Sequence, residues 1–291
     1  MLFSNKTGVS LFELLVVIGI LTLLMGFLLT AVQSVRESSK RLHCQNQIRQ
    51  IGLALHQFES QHGSLPQTIA VDRSSMGMFW QARLLPFLEE TALYEEVQYE
   101  LSLSESIRNH PHQLTTIPKL QCFSNPDRGL VIPAKFGNSF AFTDYCGMAG
   151  VSIDSGAEGV FPIRFDQVLN KVRFADITNG LSNTLAFGER PPNGTGRGYG
   201  IWLGGEHSSA ASIGVFEDAE PFNFLGIFDA CLGGPIGFRQ GKRGMPCSAL
   251  HHWSYHPGGA NFARVDGSIG FIEYAIDTET LKRLATRAPG Q

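Results

Sequence analysis

The hydrophobic pattern is strongest near the N-terminus, where residues 14–35 form a run without a charged side chain. At about 1.5 Å of rise per residue, this run makes a helix of about 33 Å, and a hydrocarbon core is about 30 Å thick. A cleaved secretory signal has a shorter apolar core, of about 7–15 residues, with small residues before its cleavage site. The pattern therefore predicts a retained transmembrane helix with Glu13 at its edge.

After this span the pattern becomes amphipathic, and helical periodicity continues from Gln33 to Ser60. Apolar residues recur there at spacings of four and three, which places them on one stripe of a helix: Cys44, Ile48, Ile51, Leu55 and Phe58. Gly63 and Pro66 are typical of a helix end. Such a stripe could dock partner helices, but we expect it to pack on the chain's own globular part.

Shorter patterns follow the long helix. Residues 80–97 indicate a helical stretch interrupted at Pro86, and residues 102–133 indicate mostly loop. Short strands and turns are expected in the following ranges: 136–150, 160–174, 184–187 after a turn at 178–180, 201–203 and 224–228.

A hairpin is predicted near the C-terminus, where Asp266-Gly267 separates two apolar runs. A two-residue type I′ turn favours this pair, because both of its positions need positive φ. Such a turn would pair Phe262 with Phe271 and would place both on one core face with Ile269.

Composition limits the function classes. The net charge of −3 and the 17% share of charged residues are near balance, so no nucleic-acid partner is expected. The 32 glycines and 21 phenylalanines indicate a loop-rich body that contains strands. No repeat or low-complexity linker divides this body, and we expect one domain.

The N-terminal motif adds a resemblance. Gly8-Val9-Ser10, with Glu13 fifth after the glycine and apolar residues behind it, resembles the class III signal of type IV prepilins and pseudopilins. The resemblance implies that prepilin peptidase cleaves between Gly8 and Val9 and methylates Val9. It also implies that Glu13 pairs with the N-terminal amine of a neighbouring pilin-like subunit. Val9 departs from the commoner Phe or Met.

Charge and resemblance disagree on orientation. Lys6 precedes the span and Arg36, Lys40 and Arg41 follow it, so the positive-inside count would keep the C-terminal flank cytoplasmic. The resemblance implies export, and large domains often translocate regardless of charge. We therefore expect a single-pass protein of the inner membrane with an extracytoplasmic C-terminal domain, and the cell surface as a further location after assembly.

A second resemblance covers nearly the whole chain. His256, nine residues and then Asp266-Gly267 resemble the hallmark of a large family of bacterial prepilin-type proteins. Other pieces similar to this family lie at 44–46, 84–89, 121–122, 182–184, 188–190 and 284–287. Arg264 and residues 123–127 depart from the family pattern.

Pattern and resemblance together predict an α+β, pilin-like fold, in which a long N-terminal transmembrane and amphipathic helix packs on a mainly antiparallel β domain. The expected boundaries are a leader at 1–8, a transmembrane half-helix at 9–35, an amphipathic half-helix at 36–62, and an extracytoplasmic domain at 63–291 with its hairpin at 256–274.

The body offers few signs of catalysis. The histidines cluster at the following positions, with acidic and histidine companions: His251, His252 and His256, with Glu189, Glu206, His207 and Asp266. None fits a His-Glu-x-x-His or His-x-His pattern, and there is no nucleophile elbow or Walker loop. We interpret His256 as a hydrogen-bonding partner of the loop before the hairpin. We expect no catalytic residue, no metal, no cofactor and no enzymatic activity.

The cysteines suggest an oxidising compartment. Five cysteines in an exported domain allow at most two disulfides. Cys44 and Cys122 both belong to the family-like pieces, so the resemblance favours their pairing. Cys231 and Cys247 enclose a short glycine-rich loop and would pair next, which leaves Cys146 as the odd thiol. Other arrangements of two bridges stay open.

Two functions remain. The first is a pseudopilin-like structural subunit of a type IV pilus-like or type II secretion-like system. The alternative is an extracytoplasmic binding or enzymatic domain that uses the pilin signal only as a tether. Glu13 separates them, because a tether needs no charge at the edge of its span.

Overall fold

A computed structural model gives the fold of the chain. It describes residues 10–68, 78–103, 110–133, 139–151, 158–162, 171–192, 202–203, 212–217 and 236–288. Contacts divide the chain into two units, residues 1–42 and residues 43–291.

Helices and strands follow one another in mixed order. The helices are α1 (Leu11–His62), α2 (Trp80–Arg83), α3 (Thr91–Leu103) and α4 (Thr278–Ala285). The strands are β1 (Val131–Pro133), β2 (Ser139–Ala141), β3 (Tyr145–Gly150), β4 (Leu185–Glu189), β5 (Ser212–Gly214), β6 (Phe216–Glu217), β7 (Ile236–Gly237), β8 (Gly259–Arg264) and β9 (Ile269–Glu273).

The first unit contains the apolar part of α1. Every residue from 10 to 36 is exposed. The most apolar 18-residue window of α1 has a mean hydropathy of 2.7 with no buried residue. The predicted membrane-type helix is therefore confirmed, and it is compatible with a single-pass anchor.

The second unit begins at His43, within the amphipathic part of α1. The predicted stripe of Cys44, Ile48, Ile51, Leu55 and Phe58 is buried at every position. It packs on the second unit, as expected. The helix ends where Gly63 adopts a φ of +67°, and the N–H of Gly63 donates to the Glu59 carbonyl at 2.7 Å. A residue with a Cβ would be strained in this left-handed conformation.

The sheet at the centre of the second unit has five strands in the order β5-β3-β4-β8-β9. The pairs β3–β4, β4–β8 and β8–β9 are antiparallel, and only β3–β5 is parallel. This arrangement confirms the expected α+β class with a mainly antiparallel sheet.

Two hydrophobic cores of described residues lie against this sheet. The larger one joins the buried stripe of α1 to residues such as Trp80, Phe161 and Phe187, and the rings of Trp80 and Phe161 stack at 4.6 Å. The smaller core joins α4 to Phe262 and its neighbours on β8 and β9. Because each strand alternates its side chains between faces, β8 contributes to both cores.

The C-terminal hairpin forms, but its expected register is wrong by one residue. Phe262 pairs with Gly270, and Phe271 pairs with Asn261. Since successive strand residues point to opposite faces, Phe262 does not share a face with Ile269 and Phe271.

The reason is a three-residue turn in place of the expected two-residue turn. The Gly267 N–H donates to the Arg264 carbonyl at 3.0 Å, and the Arg264 N–H donates to the Ser268 carbonyl at 2.8 Å. Gly267 has a φ of +83°, whereas Glu89 is the only described non-glycine residue with positive φ. Asp266 therefore cannot supply the second positive φ of a type I′ turn. A type I turn followed by a left-handed glycine fits these contacts.

Other expected strands have mixed outcomes. The strand after the turn at 178–180 is present as β4, and residues 139–150 contain β2 and β3. The strand expected at 160–174 is wrong for the described residues of that range, where Phe174–Asp176 is a 3-10 turn. Trp202 and Leu203 lie in bends, and residues 224–228 lie outside the described part.

Candidate functional site

The described chain begins at Ser10, so the processing residues Gly8 and Val9 lie outside it. The Ser10 N–H donates to Oε2 of Glu13 at 2.9 Å, and the Phe12 N–H donates to the Ser10 hydroxyl at 3.4 Å. Ser10 and Glu13 therefore make a reciprocal cap at the start of α1, with the spacing of a capping box. A serine three residues before a glutamate is the sequence signal of such a cap.

The disulfide between Cys44 and Cys122 is confirmed. It joins α1 to the segment after the 3-10 turn Pro118–Leu120, and the two Cα atoms are 5.1 Å apart. The Phe123 N–H donates to Sγ of Cys44 at 3.1 Å, and the rings of His43 and Phe123 stack at 5.1 Å. Both ends of the bridge are therefore fixed by contacts of neighbouring residues.

His256 points its imidazole at this bridge. Its Nε2 lies 3.6 Å from Sγ of Cys122 and 3.4 Å from Oε1 of Glu189. The side chains of His256 and Glu189 are both 0% exposed. On the other side of the ring, Nδ1 lies 3.5 Å from the hydroxyl of Ser124. Besides β4 and the disulfide, His256 contacts the loop before the hairpin, where its backbone N–H donates to the Ser254 hydroxyl at 3.0 Å.

Glu189 ends β4 and faces α1. Its Oε2 accepts hydrogen bonds from the backbone N–H of Asn261 at 2.7 Å and from Nδ2 of Asn261 at 3.1 Å. Its Oε1 is buried and has no hydrogen-bond partner in the described part of the chain. Nε2 of Gln45 donates to Oδ1 of Asn261 at 3.0 Å, which links this pair to α1.

Cys44, Cys122, Glu189 and His256 form one buried cluster, which we call the Cys-His-Glu cluster. One sulfur, nitrogen or oxygen atom from each residue lies within 4.8 Å of the others. The four residues come from four separate segments, so no local spacing could reveal the set. The sequence analysis names all four residues, but it assigns the cysteines to a disulfide and the histidine and glutamate to a different group.

Asp144 borders the cluster. Its Oδ2 accepts from the Cys122 N–H at 2.6 Å, and its Oδ1 accepts from Nδ2 of Asn125 at 2.6 Å. Burial is the main cause that raises the pKa of Asp144 to about 7; the two hydrogen bonds oppose the shift, and the negative charge of Glu189 adds to it. The hydroxyl of the following residue, Tyr145, donates to Oε1 of Gln47 at 3.2 Å, and burial raises the pKa of Tyr145 well above 10.0.

The other expected companions lie elsewhere. Nδ1 of His252 lies 3.3 Å from the Glu189 carbonyl, and Nδ1 of His251 lies 3.1 Å from the His252 carbonyl. Asp266 is exposed in the hairpin turn, where its Oδ1 accepts from the Ser268 N–H at 2.9 Å. Three further expected residues, Glu206, His207 and Cys231, lie outside the described residues.

Cys247 is itself disulfide-bonded, whereas Cys146 is a buried thiol. Because Cys231 is not described, the expected Cys231–Cys247 pairing stays a prediction.

Comparison with known protein families identifies the family of this chain. One family model matches residues 33–212 and 231–279, which is most of the sequence. The chain belongs to the DUF1559 family. This family is described as a protein of unknown function, and it is typically associated with pilin-like or prepilin-type proteins. Neither a curated protein nor a solved structure matches the chain significantly.

The DUF1559 match contains the whole Cys-His-Glu cluster, since Cys44, Cys122 and Glu189 lie in its first range and His256 in its second. The match begins at residue 33, so the N-terminal signal and most of the apolar run are outside it.

Proposed function

We propose that the chain is a membrane-anchored, pseudopilin-like structural subunit. In this proposal prepilin peptidase processes it, and it assembles with other pilin-like subunits in a type IV pilus-like or type II secretion-like system. The observation that carries the proposal is the division of α1, whose apolar residues are all exposed up to residue 36 and whose later stripe is buried from Cys44 onward.

The exposed apolar part of α1 must be shielded from water by lipid or by other helices. Its large apolar side chains include Leu11 and Phe12, which are 83% and 73% exposed, and continue through Val35. A contiguous apolar surface of this extent marks a membrane or protein contact. Lipid provides this shielding before assembly, and the helices of neighbouring subunits provide it afterwards.

Glu13 decides between a subunit and a simple tether. Its hydrogen bond to Ser10 accounts for a carboxylate at a helix start without any neighbour, because acidic groups stabilise the first helical turn. An assembly role requires more, namely that its negative charge attracts the N-terminal amine of another subunit. The two roles depend on different properties of one side chain and can be separated by substitution.

Glu13→Gln is the informative variant, because glutamine can keep the capping hydrogen bond but has no charge. We expect Glu13→Gln to insert into the membrane but to lose the crosslinked oligomers that the parent forms. Ser10→Ala is the matched control, since it removes part of the cap, at about 0.5–2 kcal/mol, and keeps the carboxylate. It should crosslink like the parent. Membrane fractionation followed by chemical crosslinking in a host with prepilin peptidase reads both properties.

The mass of the N-terminal peptide shows whether both variants are processed. Each should begin at Val9 with a methylated amine, so that a loss of oligomers is not a failure of cleavage. An intact Met1 peptide in the membrane fraction would refute processing. Full assembly of Glu13→Gln would show that Glu13 serves only as a cap, and the tethered-domain alternative would then be favoured.

A further inference from the structure

We propose that the Cys-His-Glu cluster is a redox-controlled metal site. In the reduced chain, Cys44, Cys122, His256 and Glu189 bind one Zn²⁺ ion, and the disulfide is the oxidised, metal-free state. This inference does not depend on the proposed assembly role, because all four residues lie in the second unit.

The ligand set selects the class of metal. Thiolate, imidazole and carboxylate are all ligands of tetrahedral Zn²⁺, whereas Ca²⁺ and Mg²⁺ require mostly oxygen ligands. All four side chains are buried, which is typical of a closed structural site.

Two of the six distances between ligand atoms fit a tetrahedron around a small ion. Zinc bonds of about 2.0–2.3 Å place neighbouring ligand atoms about 3.3–3.8 Å apart. Nε2 of His256 is already 3.6 Å from Sγ of Cys122 and 3.4 Å from Oε1 of Glu189. Reduction would separate the two sulfur atoms. Both sulfurs, Nε2 of His256 and Oε1 of Glu189 could then surround one ion.

Surrounding contacts orient the ligands as outer-shell partners do. A metal-bound histidine usually donates its second ring N–H to an oxygen. Nδ1 of His256 lies 3.5 Å from the Ser124 hydroxyl. Asn261 holds Oε2 of Glu189 through two hydrogen bonds and leaves Oε1 directed at the cluster. The Phe123 N–H donates to Sγ of Cys44, a contact that also stabilises a thiolate.

A disulfide alone does not explain this arrangement. The bridge needs neither a carboxylate nor an imidazole beside it, and burying such groups is unfavourable unless they are well paired. Oε1 of Glu189 is buried without a hydrogen bond in the described residues, although it lies 3.4 Å from His256. A divalent cation would compensate this oxygen.

The redox step balances with a dithiol reductant. Two electrons and two protons convert the Cys44–Cys122 disulfide into two thiols, while the reductant becomes a disulfide. Binding of Zn²⁺ then releases both thiol protons, because thiolates are the ligands. A disulfide oxidant reverses the sequence: it accepts two electrons from the two thiolates and two protons from water, becomes a dithiol, and leaves the Cys44–Cys122 disulfide without its sulfur ligands for the ion, which is released.

The test uses the detergent-solubilised full chain and Zn²⁺ as the probe. The chain is reduced with a dithiol, freed of reductant without oxygen, and titrated with Zn²⁺ against a chromogenic chelator. We expect one tightly bound Zn²⁺ in the reduced chain and none in the oxidised chain. Co²⁺ in place of Zn²⁺ should give the visible absorption of tetrahedral thiolate coordination, and Mg²⁺ should not compete.

Three variants test the ligands. Cys44→Ser should abolish the thiolate–cobalt absorption. Glu189→Gln should weaken Zn²⁺ binding by at least about tenfold, since even outer-shell changes have effects of about 10–100-fold. Cys247→Ser is the matched control, because it removes another reduced thiol outside the cluster and should retain the site.

Two results would overturn the proposal. One is a reduced parent chain that binds no Zn²⁺. The other is binding that survives Cys44→Ser and Glu189→Gln but disappears in Cys247→Ser, which would place the ion elsewhere. The comparison of oxidised and reduced parent needs no substitution, so a reduced parent that binds no Zn²⁺ overturns the proposal even if a variant fails to fold.

Discussion

At the scale of single residues, burial decides the charge states in the second unit. Burial lowers the pKa of His251 to about 4 and the pKa of His252 to about 3. Both imidazoles are therefore neutral in the folded chain at neutral pH. Asp144 behaves in the opposite way, since burial raises its pKa to about 7 and the folded state favours its protonated form.

These shifts give the pH dependence of stability opposite signs. An unfolded histidine takes up a proton below about pH 6.5, whereas folded His252 resists protonation until about pH 3. The stability that neutral His252 contributes to the folded state is present above pH 6.5 and is lost as the pH falls below it. The folded state binds the Asp144 proton more tightly than the unfolded state, so stability from Asp144 falls as the pH rises from about 4 to about 7.

His252→Gln isolates one of these effects. Glutamine keeps a donor for the Glu189 carbonyl but has no group that protonates near neutral pH. Between pH 7 and pH 5 the parent should lose about 2 kcal/mol more unfolding free energy than the variant. Denaturant unfolding of both chains at each pH measures this difference. Equal losses in the two chains would mean that His252 is not the group responsible.

The sequence identified the right residue types for the site but not their association. Cys44 and Cys122 could be paired from their resemblance to family pieces, and Glu189 could be noted beside His256 as a possible companion. Glu189 reaches the site because it ends β4, where its carboxylate accepts a hydrogen bond from Asn261 of β8. Contacts between such distant segments leave no periodic signal in a single sequence.

At the scale of elements, α1 has two environments. Within the second unit, Ile51 is 0% exposed while Leu53, two positions away, is 58% exposed. Two residues correspond to about 200° around a helix, so these leucine-sized side chains lie on nearly opposite faces.

This contrast gives a paired stability test. Ile51→Ala should destabilise the second unit by about 2–5 kcal/mol, because it removes buried methyl groups and leaves a cavity. Leu53→Ala changes an exposed site and should stay within about 0.5 kcal/mol of the parent. Urea unfolding of the solubilised chain measures both. Similar losses in the two variants would contradict the assignment of the buried stripe.

The buried stripe of α1 could be predicted from the sequence and the hairpin register could not, because the two depend on different numbers of residues. The stripe depends on a repeat over many residues, and one unusual residue does not change which face is apolar. The register depends on whether Asp266 adopts positive φ, a choice of small energy between two turn types that both accept Asp-Gly. Its outcome moved every residue of β9 by one position.

At the scale of the whole molecule, one buried cluster joins segments of the second unit that are far apart in the sequence. The Cys-His-Glu cluster draws its members from α1, from the segment after the Pro118–Leu120 turn, from β4 and from the loop before β8. Such a cluster can assemble only when the sheet and the helix are both in place. Any change in its redox state would therefore affect the stability of the unit as a whole.

The position of the disulfide also has a mechanical consequence. Cys44 is the first buried residue of α1 in the described chain, and the bridge spans a sequence separation of 78 residues. Tension that arrives along α1 from its N-terminal end reaches this covalent link before it reaches the rest of the buried stripe. The bridge withholds about 270 Å of chain from stretching, at about 3.5 Å per residue. When the chain is pulled from its two ends, the contour length gained on unfolding should be greater by this amount in the reduced chain than in the oxidised chain.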